Sequence, residues 1–107
     1  MIYMEIIMLD GKIENFINSL DKITFGKVFN IIDLLEDFGY QLRMPYCKKI
    51  SKNIFELRIR GKIEVRLFYI FNKGNAIIVH GFVKKTEKIP KHELKTTLNK
   101  IKKLDLT

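Results

Sequence analysis

Between Asn53 and Thr86 the chain reads as a strand three times over. The runs are Ile54-Phe55-Glu56-Leu57-Arg58-Ile59, then Val65-Arg66-Leu67-Phe68-Tyr69-Ile70-Phe71, then Ala76-Ile77-Ile78-Val79-His80-Gly81-Phe82-Val83. β-Branched and aromatic residues fill each run, and Gly61-Lys62 and Asn72-Lys73-Gly74-Asn75 separate them as tight turns. Side chains alternate across a strand, so Phe55, Leu57 and Ile59 share one face while Glu56, Arg58 and Arg60 share the other. Arg66 comes within reach of that polar row once the first two strands pair as a hairpin. The expected meander buries one face and presents a mainly cationic row on the other, where the function is expected to lie.

The remainder fits around this meander. Ile2 to Leu9 reads as a first strand, ended by the turn chemistry of Asp10-Gly11. Ile13, Phe16, Ile17 and Leu20 follow helical spacing, and Asp21 to Thr24 punctuates. A second helix is expected from Phe25 to Asp37, with Phe25, Val28, Phe29, Ile32 and Leu35 as its stripe and Gly39 as its stop. These stripes read as core, not as a cofactor site. Gln41 to Lys52 reads as a connector broken by Pro45. Pro90 suits the first position of a last helix, where Leu94, Leu98, Ile101 and Leu104 form a narrow stripe and lysines cover the rest. The order strand-helix-helix-strand-strand-strand-helix predicts one α+β domain over residues 1–107, with a mainly antiparallel sheet and helices on one face.

Charge is unevenly spread along the chain, whose net charge is +8. Up to Leu42 there are three basic and seven acidic residues; beyond it, seventeen basic and five acidic. A basic half set against an acidic half suits a polyanion-binding surface on one side. No apolar run approaches the roughly 20 residues that span a bilayer, and the start lacks the basic region of a signal peptide. A cytoplasmic location is therefore expected. The single cysteine, Cys47, excludes an intrachain disulfide and cannot build a metal site alone. There is no phosphate-binding glycine loop, zinc-ligand spacing or nucleophile elbow, and no cofactor is expected. His80, among Ile78, Val79 and Phe82, reads as a packed strand histidine, and His92 as a solvated one in the first turn of the last helix.

What remains is a set of cations, Arg58, Arg60, Arg66, Lys84 and Lys85, with Glu56, Tyr69 and Thr86 near them. Phosphoryl chemistry can run on such a set. RNA carries its own nucleophile, the 2′-hydroxyl, and the protein need only align it and stabilise charge on the phosphate oxygens and leaving group. Arginine suits this because its planar fork holds two phosphate oxygens. Binding without cleavage is the alternative these residues leave open.

Leu42-x-x-Pro45, Lys48-Lys49-Ile50, Ile54-Phe55-Glu56-Leu57-Arg58, Val65-Arg66-Leu67-Phe68-Tyr69 and His80-Gly81-Phe82-Val83-Lys84-Lys85-Thr86 before Pro90 resemble the HigB-like, phage-derived branch of the RelE/ParE toxin superfamily. Phe16, Leu20, Leu34-Leu35 and Gly39 fit as well, so the resemblance covers nearly the whole chain. It implies a small RelE-like fold and the toxin of a type II toxin–antitoxin module, cutting mRNA at the ribosome without metal. It also implies a helix-turn-helix antitoxin as partner. Relatives of the ParE kind poison DNA gyrase instead, and a non-catalytic nucleic-acid-binding module is a further alternative.

By the same resemblance, Arg66 stabilises the phosphate and transition state, Arg58 contacts substrate phosphate, and Lys84 and Lys85 serve the leaving group or ribosomal RNA. Glu56 either orients the arginines or acts as base; Tyr69 belongs either to this site or to the core. Lys48, Lys49, Lys52, Arg60, Thr86 and Lys88 are the expected RNA or ribosome contacts. RelE members carry a base-stacking tyrosine near the C-terminus, but here no aromatic follows Phe82. Stacking would fall to Tyr46 or Phe55, and the general base is unassigned.

Overall fold

The computed structural model describes residues 3–104. The first-strand expectation at Ile2, and the chain beyond Leu104, lie outside the described residues. Nine elements follow in order: β1 (Ile6–Met8), α1 (Gly11–Asn18), α2 (Lys22–Phe38), a 3-10 turn (Gly39–Gln41), β2 (Cys47–Ser51), β3 (Ile54–Ile59), β4 (Val65–Asn72), β5 (Asn75–Val83) and α3 (Lys91–Lys103). They form the expected α+β fold around one five-stranded sheet ordered β1-β5-β4-β3-β2, antiparallel except where β1 runs parallel to β5. This architecture agrees with a RelE-like fold.

Local chemistry explains most boundaries. Asp10 and Asp21 are helix N-caps whose carboxylates accept from Ile13 N–H and Thr24 N–H. The stretch expected to punctuate, Asp21 to Thr24, is thus the cap and first turn of α2. Gly39 ends that helix at φ 51°, where a side chain would be strained. Lys73 and Gly74, at φ 52° and 80°, join β4 to β5 through a two-residue turn with Asn72 and Asn75 paired. Positive φ at both central residues is the geometry that matches the twist of a hairpin. The other hairpin link is longer than expected: Arg60 to Glu64 is irregular. Ile63 tucks against the core there, and Lys27 Nζ holds the Arg60 carbonyl at 3.3 Å.

Several further expectations are corrected. The Gln41–Lys52 connector contains an edge strand, β2, paired antiparallel with β3. Its own residues alternate weakly; pairing with a strand already in the sheet makes it extended, and its exposed lysines guard the edge.

The helices do not share one face. α1 and α2 bring Ile13, Ile17, Val28, Ile32 and Leu35 onto Leu57, Ile59, Val65, Leu67 and Tyr69. The alternate residues Phe68 and Ile70, with Ile54, Val79 and Phe82, form a second core on the opposite face, covered by Ile89, Leu94, Ile101 and Leu104. The reason lies in β4, where every residue from Val65 to Ile70 is buried. A central strand apolar on both sides needs cover on both sides.

Within α3 the packed positions are Leu94, Thr97 and Ile101, while Leu98 is exposed. Lys100 leaves the basic outer face, donating to the Val79 carbonyl at 3.1 Å and lying 3.5 Å from Asp10. The last helix begins one residue later than expected, with Pro90 as its N-cap.

Candidate functional site

α3 covers only part of the second face of the sheet. The β3 end of that face carries two cross-strand rows. Lys48 on β2 pairs with Glu56 on β3, which pairs with Phe68 on β4; one pair along, Arg58 stands directly opposite Arg66, which stands opposite Phe82. The expected adjacency of Arg58 and Arg66 is therefore present. Like charges directly opposite one another repel, and Glu56 sits between them. Its Oε1 lies 3.6 Å from Arg58 Nε and its Oε2 3.6 Å from Arg66 Nε.

The row is neither purely cationic nor fully open. Glu56 is buried, and Arg66, at 2% exposure, is the largest fully buried side chain among the described residues. Arg66 Nη2 donates to Glu64 Oε1 at 3.0 Å and its Nη1 to the Val65 carbonyl. Arg60 Nη1 lies 3.8 Å from the same Glu64 oxygen, and the Gly61 N–H donates to Glu64 Oε2 at 3.1 Å. Arg58 Nη1 reaches Met44 Sδ at 3.4 Å. Three buried atoms, Glu56 Oε2, Arg58 Nε and Arg66 Nε, make no hydrogen bond.

The electrostatics follow from this crowding. Burial, then the charges of Arg60 and Arg66, pull the Arg58 guanidinium below its ordinary value against the opposing effect of Glu56 and Glu64. Burial pushes Glu64 upward. The Gly61 N–H and the Arg66 and Arg60 guanidiniums outweigh it and hold its carboxyl below the usual carboxylate range.

The remaining expected residues divide. Lys84 follows β5 at the same sheet end, its N–H donating to the Glu64 carbonyl at 2.7 Å. Its Nζ is engaged with the Glu87 carbonyl, and the Thr86 hydroxyl with the Lys88 carbonyl. Lys85, Thr86 and Lys88 are exposed in this loop. Lys48 shares the arginine face, whereas Lys49 points to the other, 5.9 Å over the Phe55 ring. Lys52 lies in the β2–β3 turn, at the opposite end of the sheet from the arginines.

The aromatic alternatives are resolved. Phe55 stacks on Tyr69 in the first core, on the face away from the arginines, so it cannot serve as a base platform there. Tyr69 is core: burial, then the Cys47 thiol, raises its hydroxyl well above the ordinary tyrosine value. Tyr46 flanks Arg58 at the edge, accepting its N–H on the main chain at 2.9 Å, and its side chain is exposed. His80 packs as expected, 2.9 Å from Glu93, and His92 is exposed. Glu64 is the residue that sequence reasoning missed. The spacing Arg60-x-x-x-Glu64-x-Arg66 was the available signal, hidden by the assumption of a tight turn.

Fold and site together define a small basic α+β protein of RelE-like architecture with an arginine–glutamate cluster at one end of its sheet. Residues 15–102 match the model of the phage-derived protein Gp49-like family (DUF891), from within α1 to the last turn of α3. The chain belongs to that family, a RelE/HigB-like toxin family. No curated protein matches the chain. No helix among the described residues is long and apolar enough to cross a membrane.

Proposed function

We propose that this protein is a HigB-like toxin of a type II toxin–antitoxin module and cuts mRNA on the ribosome. The observation that carries the reading is the trio Arg58, Arg60 and Arg66 on one sheet end, held by Glu56 and Glu64. The RNA 2′-hydroxyl gives its proton to solvent water and attacks the adjacent phosphorus, the P–O5′ bond breaks, and the products are a 2′,3′-cyclic phosphate and a 5′-hydroxyl. Arg58 and the more exposed Arg60 meet the phosphate oxygens, where developing charge is greatest. Arg66, buried between two carboxylates, touches the phosphate once Glu64 moves aside. Lys84 or Lys85 supplies the leaving oxygen with a proton. Glu56, fixed between two guanidiniums, orients them and is poorly placed as base. Lys48, Lys85, Thr86 and Lys88 contact ribosomal RNA; Lys49 and Lys52, remote from the cluster, add only long-range attraction.

The antitoxin is a partner with acidic and apolar surface. Phe38, Tyr40, Met44 and Tyr46 are exposed together around the α2 end and the β2 edge, beside Arg43 and Lys48. An apolar surface of this kind, rimmed by cations, supports docking of such a protein.

Mapping of mRNA 5′ ends after brief induction tests the nuclease. Cuts within translated codons are expected for the wild type, and their loss for Arg58→Ala with the fold verified by thermal denaturation. Growth arrest without new ends would overturn the nuclease reading in favour of a target such as gyrase.

A further inference from the structure

Of the two carboxylates in the cluster, one is fixed and one is displaceable. Glu56 projects from mid-β3 and its side chain is 4% exposed. Glu64 ends the irregular link and its side chain is 32% exposed. The Glu64 carbonyl is anchored by Lys84 N–H, so its side chain can swing to solvent while the backbone stays in place.

Three donors from separate positions converge on Glu64: Arg66 Nη2 and Arg60 Nη1 at Oε1, and the Gly61 N–H at Oε2. Two guanidiniums and a main-chain N–H fit a phosphate group as well as a carboxylate. Even with Glu64 in place, three arginines face two glutamates, and Arg58 Nε and Arg66 Nε lack acceptors. The cluster still attracts anions.

We propose that Arg60, Arg66 and the Gly61 N–H form a phosphate site which the Glu64 carboxylate fills in the absence of ligand, and that an RNA phosphate enters by displacing Glu64. The proposal rests on the reading of this face as the one that takes RNA. It adds that the resting site is self-occupied, so ligand affinity is lowered by the fraction of molecules in which Glu64 holds it.

The test is titration of inorganic pyrophosphate into the wild type, Glu64→Gln and Glu64→Asp at fixed low ionic strength, read by the arginine Nε–Hε resonances. If the site is open about a tenth of the time, Glu64→Gln binds about tenfold tighter. The shifts centre on Arg60 and Arg66, and Glu64→Asp, its carboxylate withdrawn by one methylene, falls between. The Asp variant also carries the test if the Gln variant does not fold. Unchanged or weaker binding in the folded variants, or shifts confined to Arg58, would overturn the site. Tighter binding without mRNA cuts in cells keeps the site and overturns the nuclease; cuts with unchanged pyrophosphate binding do the reverse.

Discussion

Arg58 and Arg66 are register partners across β3 and β4, and the Glu56 carboxylate lies 3.6 Å from the Nε of each. Two guanidiniums held face to face need that negative charge. Removing one member of a buried ionic cluster costs far more than the cluster contributes, because the charges left behind are uncompensated.

Glu56→Gln is therefore expected to destabilise the fold by about 3 kcal/mol, measured by urea unfolding. Adding Arg58→Gln should recover part of that loss, because it removes the facing cation. A Glu56→Gln protein as stable as wild type would show that the cluster does not constrain the fold.

Gly81 lies under α1, and a Cβ there would meet Leu67 Cδ2 at 2.7 Å and Phe16 Cδ2 at 2.8 Å. Gly81→Ala should cost about 1–3 kcal/mol through overpacking. Phe16→Leu should cost less in the Gly81→Ala background than alone, giving a favourable coupling in a double-mutant cycle. Strict additivity would place the strain elsewhere.

Lys73 holds a left-handed conformation at φ 52°, which asparagine and glycine accept more readily than lysine. Lys73→Asn should stabilise the hairpin by about 0.5 kcal/mol, part of the strain of order 1 kcal/mol at such positions. No rise in the urea midpoint would count against the turn geometry.

Tyr69 carries a pH signature. Its ordinary value is 10.0, and burial raises it in the folded state. Above pH 10.0 the unfolded chain releases this proton and the folded one keeps it, so stability is present below that pH and lost as pH rises beyond it. Tyr69→Phe should lose less stability than wild type between pH 9 and 12, after an initial cost of about 1 kcal/mol for the deleted buried hydroxyl. Parallel losses in the two proteins would contradict a buried tyrosine.

The three strands of the meander were legible because alternation at Phe55, Leu57 and Ile59 is local information. So were Gly39 and the two helical stripes, apart from Phe29, which is exposed, and Arg58 beside Arg66 follows from pairing the first hairpin. β2 was not legible, because Cys47–Ser51 becomes a strand only through its partner β3. Helical spacing places Leu98 in one apolar stripe with Leu94, Ile101 and Leu104; the orientation of α3 exposes it and buries Thr97 in its place.

The sequence by itself determined the helices and the strands other than β2, the antiparallel meander, the basic half and the cluster residues other than Glu64, since each depends on neighbours a few positions apart. Only the tertiary structure decided which face α3 covers, that Arg66 is buried, that Lys48 and Lys49 part to opposite faces, and that Glu64 closes on Arg60 and Arg66. Those outcomes depend on strand pairing and on the shape of one five-residue link, where a single step in register reverses the face of every side chain.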